Sequence, residues 1–431
     1  MKVLVLGSGG REHAIVWKLR HSPRVIQVYC IPGNGGIAAD AECLPGELKN
    51  VDSLVQTAAR LQPDLTVVGP ELPLSLGVVD EFSRRGYRIF GPTAAAARLE
   101  SSKSFAKEFM QRHHLPTAGY AVCASAADLQ DALQHFSTPI VVKADGLAAG
   151  KGVIICDTKQ EAARVAGEML SGKMLEGAGK RVVLEEFLEG EEISFMVLSD
   201  GERIAPLVAA QDFKRVGDGD TGPNTGGMGS YSTDALLDGE MREWLLTHVA
   251  RPVIAGMKAE GSPYKGILYC GLMMTARGPM VLEFNCRFGD PETQPVLMRM
   301  ESDLLGAFIA SIEGRVSEGD LKWSRHPAVC VVMASGGYPG SYEVGKKITG
   351  IEEADRVDGV KVFHAGTTSR DGAFYTSGGR VLGVTARGND LAQAVERAYA
   401  AVAKIHFDGM HYRRDIAARA LKSSLVRQGK T

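Results

Sequence analysis

The chain has 431 residues, 45% of them hydrophobic and 23% charged, and a formal net charge of −2 at pH 7. These values predict a globular protein of roughly three or four domains at about 100–150 residues each, without the basic field that draws in nucleic acid. The seven scattered cysteines lack a CxxC pair, MKVLVLG stops at Gly7 and no apolar run reaches bilayer length, so reduced thiols, a cytoplasmic location and no membrane partner are expected.

In chain order, residues 2–92 alternate strand and helix. KVLVLG (2–7), VIQVYC (25–30), DLTVVG (64–69) and YRIFG (87–91) read as short strands, with helical patterns at about 11–21, 51–61 and 76–85. That alternation predicts an amino-terminal open parallel α/β sheet whose glycine- and proline-bearing loops line a ligand crevice. AAAAR and a helix through SSKSFAKEFMQRH follow, to about His114. From about 117 the strands shorten: 141–156, 182–188, 192–201 and 203–213. VGDGDTGPNTGGMGS (216–230) has no periodicity and is expected to be a mobile loop. A long helix at about 238–259, a hairpin over 264–285 and a separate α+β unit over 327–420, with a helix at 390–405, complete the chain.

Three segments carry chemistry. GSGGREH (7–13) joins a strand to a helix, where free backbone N–H groups suit an anion. It is not a dinucleotide fingerprint: Glu12 replaces the third glycine, and Cys30–Ile31–Pro32 offers no ribose-binding acid. A plain turn is the alternative, but PGNGG (32–36) and GPELP (69–73), with Glu71, fall at the same sheet edge. KADGLAAGKG (143–152) lacks the Ser/Thr and the following helix of a GxxxxGK[ST] loop. Its small-residue turn still lets amides approach phosphate oxygens beside Lys143 and Lys151; a hairpin with solvated lysines is the bland alternative. VLEFNCRFGDPE (281–292) puts Glu283, Asn285 and Arg287 on one face of a strand and Phe284 and Cys286 on the other. An acid and a carboxamide two residues apart are hard oxygen ligands for magnesium, and the guanidinium is a fork for carboxylate or phosphate.

With GSGGREHA, PGNGG, VGPELPL, KADGLAAGKGV, VLEEFLEGEE, QDFKR, GDTGPNTGGMG and LEFNCRFGDPETQ in place, the chain resembles the glycinamide ribonucleotide synthetases, the phosphoribosylamine–glycine ligases of the ATP-grasp superfamily, over essentially its whole length. The resemblance implies a multidomain α/β and α+β protein. An amino-terminal domain over 1–102 precedes a central ATP-grasp fold of two α+β subdomains over 103–325, with a lid at about 120–190, and a small carboxy-terminal α+β domain over 326–431. It implies a monomer acting in de novo purine biosynthesis on ATP with magnesium (or manganese), glycine and 5-phosphoribosylamine, through glycyl phosphate.

It also implies residue roles. Lys103 and Lys143 contact the ATP phosphates, with Gly150, Lys151 and Gly152 in a closing loop over 146–152. The backbone at Glu185 and Phe187 reads adenine, Leu188 packs on it, and Glu191 accepts from the ribose. Glu283 and Asn285 hold the metal. Gly9, Gly10, Asn34 and Glu71, with Lys214 and Arg287, hold phosphoribosylamine, while Asp212, Gly289 and Asp290 meet glycine. Arg287, Asp212 and Lys214 are the catalytic candidates. YCGLMM (269–274) lacks the further acid that many ATP-grasp enzymes carry there. The histidines have no metal-like spacing. A nicotinamide dehydrogenase and a non-catalytic nucleotide-binding module are the rival classes, and a carboxylase or formyl transferase is the rival within the ligases.

Overall fold

The computed structural model describes residues 1–147, 152–174 and 181–422. Its first layer is a five-stranded parallel sheet in the order Glu42–Cys43, Gln27–Pro32, Lys2–Gly7, Leu65–Val68, Ile89–Phe90. Val3–Leu6 are fully buried because helices cover both faces, which explains an apolar run without alternation. Lys2 pairs with Gln27 and Gly7 with Pro32, so the two glycine loops leave the sheet side by side. The edge strand Glu42–Cys43 was not foreseen; two residues carry no readable period.

The helix expected to about His114 runs Lys103–Arg112, and the alanine-rich stretch before it forms a separate helix, Ala94–Ser101. Ser102 breaks them with extended backbone (φ −137°, ψ 108°), and its hydroxyl accepts from the Phe105 N–H at 3.2 Å, capping the second helix. Lys103 therefore begins a helix at the cleft.

Two antiparallel four-stranded sheets form the centre. One orders Tyr120–Cys123, Val182–Glu186, Ile140–Ala144, Val153–Cys156; the other orders Ile204–Pro206, Glu191–Asp200, Lys265–Thr275, Gly278–Asn285. The first has its own core, in which Ile140, Val142, Cys156 and Leu184 pack under helices Ala126–His135 and Lys159–Leu170. Such a unit can shift as one body. The expected long helix is continuous but passes through a π turn at Leu246–Ala250, between Gly239–Leu245 and Arg251–Ala259. Among the described residues no helix is long and apolar enough to cross a membrane.

The carboxy-terminal sheet corrects one expectation. Its strands run Gln211–Asp212, Gly229–Ser232, Ala328–Ala334, Arg380–Arg387, Val360–His364, so two come from the middle of the chain. The stretch expected to be a free loop instead forms the ladder Arg215–Gly217 with Thr221–Asn224 and then the buried strand Gly229–Ser232. Tertiary pairing supplies the order that local periodicity does not.

This last sheet docks on the first through buried histidines. The His364 N–H donates to His13 Nδ1 at 2.7 Å, and His364 Nδ1 lies 3.0 Å from the Thr367 hydroxyl. Burial lowers the pKa of His13, and lowers that of His364 to about 3. Both are thus more basic in the unfolded chain, near the ordinary 6.5. Their contribution to stability is complete above that value and falls as pH drops from about 6.5 toward 3. We expect the melting temperature to decline between pH 7 and 5, and to decline less steeply in His364→Asn; equal slopes would remove His364 from the account.

Candidate active site

A cavity of about 500 Å³ opens between the two central sheets and reaches the crevice of the first sheet. Lys103, Lys143 and Gly152 line it. The Lys103 ammonium donates to the Gly146 carbonyl at 3.2 Å. Asp145 accepts from the Ser104 N–H (3.2 Å) and hydroxyl (2.7 Å) and from the Ser102 hydroxyl (3.1 Å), tying the glycine turn to the start of the Lys103 helix. The Gly152 carbonyl accepts from the Ala144 N–H at 2.8 Å, closing the base of that turn. Gly150 and Lys151 lie outside the described residues.

Glu185, only 2% exposed, has two cations. Lys107 stands 2.7 Å from Oε2, and Lys143 stands 2.8 Å from Oε1 without hydrogen-bond alignment. Phe187 and Leu188 continue the wall beyond it. Glu191 is exposed and lies off the cavity; its neighbour Glu192 lines it and pairs with Lys214. Alternation fixes that the two glutamates point oppositely but not which one faces inward.

On the opposite sheet, Glu283, Asn285 and Arg287 face the cavity, while Phe284 and Cys286 are 2% and 1% exposed in the core. Arg287 is held by Glu100 at 2.8 Å and Glu71 at 3.4 Å. Burial raises the Glu100 carboxyl; for Glu71, Arg287 and Arg11 outweigh burial and lower it. Burial also opposes ionisation of Glu283, but Lys214, Lys143, Lys103 and Arg287 overcome it and hold its pKa below the ordinary value. Asp212 is pushed up to about 7, chiefly by burial, with Glu292, Glu192 and Glu283 adding to it against Lys214. Among the described residues no group of three or more His, Cys, Asp and Glu is arranged to hold a metal ion. The side chains of Glu283 and Asn285 make no hydrogen bond or ion pair there, which leaves two hard oxygen donors free for a cation that phosphates and water complete.

The first-sheet loops are more closed than the sequence implies. Glu12 folds back over them: its Oε2 accepts from the Gly9 N–H at 2.6 Å and its Oε1 from Arg11 Nε at 2.6 Å. A Cβ on Gly7 (φ +136°) or on Gly69 would sit 2.3 Å from that side chain. The chain's own carboxylate thus occupies the helix N-terminus where a dinucleotide pyrophosphate would lie. Asn34 spends its whole side chain internally, donating to the Ser8 and His364 carbonyls (2.8 Å each) and accepting from the Gly36 and Ile37 N–H groups (2.9 Å each). Any ligand contact at Asn34 falls to its backbone. Gly9, Gly10 and Gly289 lie behind the wall, with Glu12, Gln294 and Glu292 respectively against them.

Several wall residues escaped the sequence reading. Glu292 is 3% exposed and accepts from the Ser194 (3.0 Å) and Tyr269 (2.9 Å) hydroxyls. Arg380, from the carboxy-terminal sheet, donates to the Asp290 carbonyl (2.8 Å) and to Asp290 Oδ2 (3.0 Å). Tyr338 accepts from the Gly226 N–H at 2.9 Å through its hydroxyl. The carboxy-terminal domain therefore supplies one wall of the cavity. No local signal marks Arg380 or Tyr338, whereas Lys107 follows Lys103 by one helical turn and could have been found.

Three family models match in series: the phosphoribosylglycinamide synthetase N domain over residues 1–100, its ATP-grasp (A) domain over 101–293 and its C domain over 328–419. A phosphoribosylamine–glycine ligase of Vibrio vulnificus is 49% identical over 427 residues, covering 98% of this chain and 99% of that protein. The crystal structure of a phosphoribosylamine–glycine ligase from Thermotoga maritima superposes with a TM-score of 0.86 at 36% identity, covering 97% of this chain and all of that one. The biotin carboxylase domain of the Hydrogenobacter thermophilus 2-oxoglutarate carboxylase, solved with MgADP and bicarbonate, has a TM-score of 0.74 at 18% identity over 95% of this chain and 91% of its own, a likeness of fold alone. The chain belongs to the phosphoribosylglycinamide synthetase family and is an ATP-grasp ligase.

Proposed function

We propose that the chain joins glycine to 5-phosphoribosylamine at the expense of ATP, giving glycinamide ribonucleotide, ADP and phosphate in de novo purine biosynthesis. One observation carries the reading to particular residues: Lys103, Lys143 and the unengaged side-chain oxygens of Glu283 and Asn285 line a single cavity. The lysines take the phosphates, the backbone at Glu185 and Phe187 takes the adenine, and Leu188 packs on it. Glu283 and Asn285 hold a magnesium ion, which when bound neutralises phosphate charge. Arg287 and Lys214 present cations to the phosphate of the amine substrate or to the carboxylate of glycine, and Asp212 and Asp290 present carboxyl oxygens to the ammonium of glycine.

The reaction follows from that placement. A glycine carboxylate oxygen attacks the γ-phosphorus; the O–P bond forms as the bond to ADP breaks, giving glycyl phosphate. The phosphoribosylamine nitrogen then attacks the acyl carbon, phosphate leaves with the C–O electron pair, and the nitrogen loses a proton. Phosphoryl transfer depends on alignment and charge neutralisation, and the chain supplies cations accordingly. An acyl phosphate hydrolyses if wetted, so closure precedes chemistry. The lid sheet with its own core, hinged near 117–120 and 186–190, is the body suited to close.

ADP release is expected to require glycine, phosphoribosylamine and magnesium together. Release that persists without glycine, or with bicarbonate or formate in its place, would assign a different ligase reaction; reduction of added NAD would assign a different class.

A further inference from the structure

Lys107 has no role in the reaction as written, yet it is 2% exposed and meets three separate segments of the site. Its ammonium lies 2.7 Å from Glu185 Oε2 on the strand proposed to read adenine. It also donates to the Thr117 hydroxyl at 2.7 Å, which in turn donates to the Val281 carbonyl at 2.7 Å on the strand that carries Glu283. Thr117 lies at the entry to the lid, so one side chain joins helix, hinge and both sheets.

The charges around it do not balance. Lys107, Lys143 and Glu185 are all at least 94% buried, and they bring two cations to one carboxylate. The next anion, Glu283, is shared among Lys214, Lys143, Lys103 and Arg287. An excess buried cation is costly unless an anion arrives to match it. Were Lys107 absent, Glu185 would bind Lys143 alone, and that corner of the wall would be neutral.

We propose that Lys107 is a positioning residue: by taking up the charge of Glu185 it leaves Lys143 free to engage the nucleotide phosphates. This rests on the reading that Lys143 is a phosphate ligand. A purely architectural salt bridge to Glu185 would need only one lysine; the second, Lys143, also stands in the cavity wall, where it donates to the Leu282 carbonyl at 3.2 Å.

The test uses Lys107→Met, Lys107→Met with Glu185→Gln, Lys107→Arg and Lys143→Met in the full chain, with ATP affinity from titration and ATP and glycine KM from glycine-dependent ADP release. Lys107→Met is expected to weaken ATP binding about tenfold, one pKa-unit equivalent of lost electrostatic attraction, while the glycine KM stays within about twofold. Lys107→Arg should retain most of the affinity. Adding Glu185→Gln restores the net positive charge and should return ATP affinity to within about threefold of the parent. A double variant no better than Lys107→Met overturns the proposal, because an architectural bridge gains nothing from losing its second half. If Lys107→Met does not fold, a double variant more than about tenfold weaker than the parent overturns it equally. Lys143→Met with undiminished ATP affinity would instead sink the phosphate assignment beneath it.

Discussion

Glu283→Gln is expected to lower the rate of glycine-dependent ADP release by roughly two to three orders of magnitude, the scale seen when one preorganised charge stabiliser is removed. The substitution keeps side-chain volume and the strand position, and it leaves the Phe284 and Cys286 packing on the opposite face intact. What it removes is the negative charge that Lys214, Lys143, Lys103 and Arg287 keep ionised against the cost of burial. A carboxamide still offers a neutral oxygen, as Asn285 does, so residual turnover should rise with magnesium concentration well beyond the range that saturates the parent. The melting temperature without nucleotide should move by no more than about 3 °C, since the side chain makes no hydrogen bond or ion pair that folding depends on. Near-normal turnover at ordinary magnesium would end the assignment of Glu283 as a metal ligand. A collapse in melting temperature would show the residue to be structural first.

The second large effect falls on the carboxy-terminal domain. Arg413 is fully buried. Its guanidinium makes a bidentate bond to Asp415 (2.8 and 2.7 Å) and donates to Asp220 Oδ1 (2.8 Å) and to the Arg215 carbonyl (3.1 Å), 4.9 Å from the Phe213 ring centroid. Removing one member of a buried ion pair costs about 3–5 kcal/mol. Asp220 and Asp415 keep 33% and 28% exposure, and Arg419 also reaches Asp220, so Arg413→Met is expected near 2–3 kcal/mol. Because a chain of several domains need not unfold in one step, the effect is best read locally. Amide exchange over 215–224 should accelerate by about thirtyfold or more, and ADP release should fall with it, since Lys214 and Thr225 flank that hairpin. The Asp415 carboxyl is held below its ordinary value because Arg413 and the Gly219 N–H outweigh burial. This part of the stability is therefore full above about pH 4 and lost as pH falls below it; Arg413→Met should be the less acid-sensitive protein in relative terms. Unchanged exchange over the hairpin would show that the backbone ladder alone holds it.

What the sequence discloses about this site follows from distance along the chain. The face bearing Glu283, Asn285 and Arg287 is legible because alternation acts over a few residues, and the structure keeps all three toward the cavity with Phe284 and Cys286 inside. Glu191 and Glu192 show the limit of the same rule: alternation separates them, but only pairing with the neighbouring strand, Glu191 opposite Met274, decides which one turns inward. Asn34 sits in a loop rightly placed at the crevice, yet its side chain is consumed by Ser8, Gly36, Ile37 and His364, the last being 330 positions away. Arg380 reaches Asp290 from the carboxy-terminal sheet and Tyr338 reaches Gly226 from the turn after strand Ala328–Ala334, and no short pattern announces a contact of that range. The glycine-rich stretch 216–230 was read from its composition, which describes what a backbone is able to do alone; its partners, strand Ala328–Ala334 and Arg413, come about a hundred or more residues later.

That late pairing bears on biogenesis. When a ribosome has delivered residues 211–232, Gln211–Asp212 is present to pair with one side of Gly229–Ser232, but the strand for its other side has yet to be synthesised, and that edge must wait in water. Its wealth of glycine, aspartate, asparagine and threonine suits that wait, being too polar to collapse and poor in the β-branched apolar runs that seed aggregation. A chain terminated just before Ala328 is accordingly expected to display an unzipped edge in place of a finished domain, and co-expression of the missing carboxy-terminal fragment should close it.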